Sequence, residues 1–196
     1  MKQAFIGIDP GMSGAAVVLS RDRAELLVTW RACQRQKRRA YAVQVRSHGE
    51  QVEHLVRRVS AIGAVIAGAC ARAGVLTAGV AVEDAYVGRN PRTSVHVARS
   101  AGLLVGPVEQ AYDVTASWVA AAEWRATVLG LPRNTSRADA KRVSVQYLPA
   151  RVPGLRALCG ADGIADHITD AAGVAEWLRI AQRRAYQTTQ VGDRLR

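Results

Sequence analysis

The chain opens with short apolar runs of strand length. Residues 3–9, 14–20 and 25–31 are rich in Ala, Val, Ile and Leu, and the turns PGMSG and RDRA between them are hairpin-like in length. Three consecutive antiparallel strands are therefore expected. Residues 33–48 are polar and carry Arg35, Lys37, Arg38, Arg39 and Arg46, so they read as a loop, either solvated or facing DNA. From about 50 to 73 the period changes. Val52, Leu55, Val56, Val59, Ile62 and Ile66 recur at spacings of three and four, which predicts a helix closing at Gly74. Residues 78–83 form a fourth short apolar run that ends in an acid, and 105–113 read as a fifth strand. Helices are expected over 92–103, 116–129, 137–148 and 166–184, with a loop at Pro153 and Gly154. Residues 185–196 lack apolar periodicity and read as a mobile basic tail.

A strand, helix, strand order implies a crossover and parallel pairing for the later strands. The expected fold is α/β, a mixed five-stranded sheet with three antiparallel strands followed by parallel ones, flanked by helices. No linker or repeat divides it, so residues 1–184 form one domain.

Composition narrows the setting. Lys and Arg number 27 against 16 Asp and Glu, a formal charge of +11, which favours a polyanionic partner. No apolar stretch reaches the roughly 20 residues of a membrane span, and the longest is broken by His54, Arg57, Arg58 and Arg72. A signal-peptide pattern is missing, because Asp9 and Pro10 interrupt the first apolar run. Cys33, Cys70 and Cys159 fit neither a disulfide framework nor a zinc site. The expectation is a cytoplasmic protein with no membrane and no small-molecule cofactor.

Candidate chemistry lies at element ends. Asp9 closes the first strand before Pro10-Gly11, and Glu83 closes the fourth. Asp166, His167 and Asp170 open the last helix, where His167 and Asp170 share a face. Each has an ordinary structural role available. Asp9 can shape a turn, Glu83 can be a surface acid, Asp166 can cap the helix, Asp170 can favour its dipole, and a lone histidine is usually structural. Together, carboxylates converging without positive partners repel unless hard cations sit between them. Two Mg²⁺ or Mn²⁺ ions about 4 Å apart can activate a water and stabilise a leaving phosphodiester oxygen. Asp9, Glu83, His167 and Asp170 are thus expected as metal ligands of a nuclease acting on DNA or RNA. Tyr86, in the loop VGRNP, is expected to stack on an unpaired base, with Arg89 and Asn90 beside it on the DNA.

These segments resemble the RuvC family of Holliday-junction resolvases, within the RNase H-like superfamily, over about residues 3–182. GIDPG at 7–11 is similar to the family's opening strand and first catalytic Asp. VEDAYVGRNPRTSVHVARSAG at 82–102 resembles the segment that begins with the catalytic Glu, with Tyr86 and Asn90 at family positions. DHITDAAGVAEWL at 166–178 is similar to the closing helix and places His167, where many members have Asp, and Asp170. Arg125, Gly130 and Lys141 stand at further family positions, so Arg125 and Lys141 are expected to contact phosphates near the cut. The segment 31–48 and the tail after 185 have no counterpart, which points to a bacteriophage or outlying bacterial member. The resemblance implies a homodimer that cuts opposed strands of a four-way DNA junction symmetrically, in the cytoplasm of a bacterium or infected host. Two other readings stand beside it: a more general RNase H-like nuclease on branched DNA or RNA–DNA hybrid, and a non-catalytic DNA-binding module. A sugar-kinase-like fold would need a second lobe and a second Asp-x-Gly hairpin, which residues 105–115 do not supply.

Overall fold

The computed structural model describes residues 3–20, 23–35, 38–84, 91–160 and 163–194. Among these residues, seven strands form one sheet in the order β5-β4-β3-β2-β1-β6-β7. Five of them make an antiparallel meander: β1 (Gln3–Asp9), β2 (Ser13–Ser20), β3 (Arg23–Arg35), β4 (Arg38–Ser47) and β5 (Gln51–Val56). Helix α1 (Val59–Arg72) then crosses to β6 (Thr77–Glu83), which pairs parallel with β1. After α2 (Pro91–Tyr112) comes β7 (Ser117–Val119), parallel to β6. Helices α3 (Ala121–Leu129), α4 (Arg137–Arg151), α5 (Leu155–Cys159) and α6 (Asp166–Arg194) complete the chain.

The expected mixed sheet is present, but it has seven strands rather than five. Residues 38–47 are a strand, not a loop. Tyr41, Val43 and Val45 are buried on one face while Gln44 and Arg46 point to the other, an alternation that the cluster of basic residues obscured. Residues 51–56 are the edge strand β5, not the start of a helix. Val52 and Leu55 matched a helical spacing by coincidence and are 41% and 52% exposed. Residues 105–112 continue α2, because Leu104, Val105 and Val108 bury one helical face despite Pro107. The last parallel strand is instead the three-residue β7, inside what read as a helix from 116. Helix α6 runs to Arg194 rather than ending near 184.

The sheet divides the core in two. Ile6, Ile8, Val18, Val28, Val80 and Val82 face α1 and α2. Phe5, Val17, Leu27 and Ala81 face α3, α5 and α6. The period of two thus fixes which face each strand-end side chain takes. Among the described residues, no helix is long and apolar enough to cross a membrane.

Candidate active site

Asp9 and Glu83 end adjacent parallel strands. Ile8 pairs with Val82, so the next residue on each strand is the acid. Phe5 and Ala81 lie in the α6-side core, and Asp9 and Glu83 are in phase with them. Helix α6 supplies the third acid. It lies so close to β1 that a Cβ on Gly7 would stand 2.2 Å from the carbonyl oxygen of Ala171. Any larger residue there would push α6 away. Asp170 precedes that contact by one residue and is buried against the two strand ends.

Electrostatics shows that the three acids share one site. Burial pushes Asp9 up to about 7, with the negative charge of Asp170 adding to the rise and a hydrogen bond from the Gly11 backbone opposing it. Burial also pushes Glu83 up to about 8, followed by the charges of Asp170 and Asp9. Asp170 is raised by burial and held back by Arg125. The Arg125 guanidinium donates to Asp170 Oδ1 at 2.9 Å and is itself only 8% exposed. It sits beside the Trp124 ring, 5.0 Å from its centroid. Trp124 in turn packs where Gly173 of α6 leaves room, since a Cβ there would meet the ring at 2.3 Å.

A second group forms the rim. Lys141 of α4 donates to Asp166 Oδ2, and this bond holds the Asp166 carboxyl below its ordinary range. His167 Nδ1 is 3.8 Å from Asp166 Oδ1, but burial outweighs that attraction and lowers the imidazole pKa. Asp166 also accepts from the His167 backbone N–H, as expected of a residue at the helix start.

The structure therefore brings Asp9, Glu83 and Asp170 together and sets His167 at their edge. Lys141 reaches the same rim through Asp166. Arg125, expected to face phosphates, instead lies buried as the counter-charge of Asp170. Burial next to an acid is what an uncompensated carboxylate cluster demands. Tyr86, Arg89 and Asn90 lie outside the described residues. Sequence reasoning missed Trp30, whose indole Nε1–H donates to Gly11 O at 3.0 Å and pins the turn after Asp9. Nothing in the local pattern marks it, because the contact spans three strands of a hairpin meander. It also missed Trp124, whose adjacency to Arg125 was the available signal.

All the donors are carboxylate oxygens apart from His167, which suits hard divalent cations. Glu83 Oε2 is buried without a hydrogen-bond partner among the described residues, an unmet demand that a cation would satisfy. Among the same residues, no group of three or more His, Cys, Asp or Glu side chains is arranged to hold a metal ion as it stands. Arg125 already takes one oxygen of Asp170. The donor chemistry fits, then, while the ligand set is not closed.

This mixed sheet, with acids at the ends of two adjacent parallel strands, defines a RuvC-like fold of the RNase H-like class. The chain is similar to Thermus thermophilus RuvC in complex with Holliday junction substrate, at 18% identity and a TM-score of 0.52, covering 94% of this chain and 96% of that one. Another structure of Thermus thermophilus RuvC aligns at 17% identity and a TM-score of 0.47, over 94% of this chain and 97% of the other. No protein-family model matches the sequence, and no curated protein matches it significantly.

Proposed function

We propose that this chain is a structure-selective endonuclease that resolves four-way DNA junctions by metal-dependent phosphodiester hydrolysis. The observation that carries the reading is the meeting of Asp9, Glu83 and Asp170 in one buried cluster whose members raise each other's pKa. Buried acids without a purpose are costly, and such perturbation marks functional sites. The likeness in fold to a RuvC bound to a junction substrate supports the choice of DNA.

Asp9, Glu83, Asp170 and His167 would hold two Mg²⁺ or Mn²⁺ ions. Bound there, the ions would supply an activated water and stabilise the leaving oxygen. The protein's own groups prepare the site. Trp30 fixes the turn that aims Asp9. Arg125 offsets the charge of Asp170 and holds its carboxylate in place. Lys141 neutralises Asp166 at the rim, leaving the inner acids as the uncompensated negative charge. His167, kept neutral by burial, offers a nitrogen lone pair, which favours Mn²⁺ over Mg²⁺. The +11 charge supplies affinity for phosphates without involving the acids. Action as a homodimer is part of the proposal, since twofold symmetry suits a four-way junction.

The Arg125–Asp170 ion pair favours a second reading, a non-catalytic DNA-binding module in which Arg125 has replaced the cation. One experiment separates the two. Labelled four-way junction, linear duplex and RNA–DNA hybrid are incubated with the protein with and without Mg²⁺ or Mn²⁺. Paired nicks in the junction, dependent on the metal and lost in Asp9→Asn with binding retained, support the resolvase. Binding without cleavage under every condition supports the binding module. Equal cleavage of the hybrid would instead indicate a general RNase H-like nuclease.

A further inference from the structure

A cavity of about 470 Å³ opens on the α6 face of the sheet, with His167 in its wall. Strand register builds its floor. Ser13 pairs with Arg31, and Thr29 pairs with Gln44, so these side chains stand in neighbouring rows on one face. Arg46 follows two residues along β4 from Gln44. All five line the cavity. Gln44 and Arg46 come from β4, a strand that the basic segment 38–47 contributes.

The donors in this cavity are arranged rather than scattered. The Arg46 guanidinium donates to Cys159 O at 2.6 Å and to Gln44 Oε1 at 3.0 Å. The second bond fixes the Gln44 amide, so its NH₂ group points away from Arg46 and has no acceptor among the described residues. Arg31 is exposed and likewise has no hydrogen-bond or ion-pair partner among those residues. The Arg31 guanidinium suits an anionic ligand, and an oriented amide with two hydroxyls offers hydrogen bonds to a planar heterocycle. The volume lies within the range of small-ligand sites. His167 joins the cavity to the acid cluster, so whatever fills it lies next to those acids.

We propose that this cavity is a subsite for one nucleotide of the DNA strand beside the scissile phosphate, and that Gln44 reads its base while Arg31 holds its phosphate. This rests on the nuclease reading above. It assigns to β4 a role in choosing where the strand is cut. Sequence preference then comes from one amide, held in orientation by Arg46, and not from the acids.

The test uses the full chain in two arms. Junctions carrying each of the four nucleotides at the positions flanking the cut are digested by wild type and by Gln44→Ala, and the cut sites are mapped. Wild type should favour one nucleotide at one flanking position by roughly tenfold, and Gln44→Ala should reduce that ratio to less than about twofold. An unchanged ratio, or no preference in the wild type, overturns the proposal. The second arm needs no cleavage and no substitution in the cavity. Asp9→Asn is bound to junctions with 4-thiothymidine at successive positions near the crossover, and photocross-linked peptides are mapped. Cross-links from one position into residues 29–46 support the subsite, and cross-links confined to other segments overturn it. If wild type never cuts yet these cross-links form, the nuclease reading fails while the nucleotide site stands.

Discussion

Two cation–carboxylate pairs, Arg125–Asp170 and Lys141–Asp166, lie one helical turn apart on α6 and respond oppositely to their surroundings. Asp170 is buried, close to Asp9 and Glu83, and its pKa rises despite its arginine. Asp166 is half-exposed, bound by one lysine, and its pKa falls. The difference is solvent and company. On the rim, one ammonium suffices because water shares the task. Inside, one guanidinium faces three acids and cannot neutralise them. The inner group is therefore short of positive charge, and the rim is not.

Among single substitutions, the largest effect should come from breaking the inner pair. Arg125→Ala leaves Asp170 buried beside two other acids, and a loss of about 3–5 kcal/mol is expected in metal-free urea unfolding. Saturating Mn²⁺ should return part of that loss. A cost under about 1 kcal/mol would place Arg125 outside the electrostatic core of the site.

Without any substitution, the same acids set the pH dependence. Folded Asp9 and Glu83 titrate near 7 and 8, against ordinary values of 3.8 and 4.5. Between roughly pH 4 and pH 8 the native state holds more protons than the unfolded chain, so metal-free stability should fall as pH rises. Each group contributes up to about 1.4 kcal/mol per pH unit inside its window. Asp166 works the other way: its lowered pKa gives stability that is present above the ordinary carboxylate value and lost in acid. Urea midpoints from pH 4 to 9 in EDTA should show the decline, and Asp9→Asn should flatten it. A midpoint that climbs through this range would contradict the raised values.

The smallest effect belongs to the rim. Lys141→Ala should cost only about 0–1 kcal/mol, as half-exposed ion pairs do. If its single-turnover cleavage on saturating junction falls by more than that stability change accounts for, Lys141 also serves the DNA. An unchanged rate would confine it to neutralising Asp166.

Much of this was legible in the sequence, for identifiable reasons. Strands β1, β2 and β6 are short and apolar, so their bounds could be read directly, as could Asp9 and Glu83 at the ends of β1 and β6. Asp170 followed from helical spacing with His167. The added strands could not be read so easily. In β4 the apolar positions Tyr41, Val43 and Val45 alternate among arginines, and in β5 three apolar residues happened to fall at helical intervals. The role of Arg125 was hidden for another reason. A basic residue in a nuclease reads as a phosphate contact, and only the closeness of α6 to β1, set at Gly7, shows that an acid waits beside it. Trp30 to Gly11 is a contact across strands that no local pattern records.

The central claim is that the inner acids form a divalent-cation site. Calorimetric titration of Mn²⁺ into the wild-type chain at pH 7, repeated in buffers of different ionisation enthalpy, tests it most directly. The account predicts saturable binding with net proton release, because at that pH Glu83 is mostly and Asp9 about half protonated until cations displace the protons. Binding should be lost or strongly weakened in Asp9→Asn. No saturable binding, or binding of equal strength in Asp9→Asn, would contradict it.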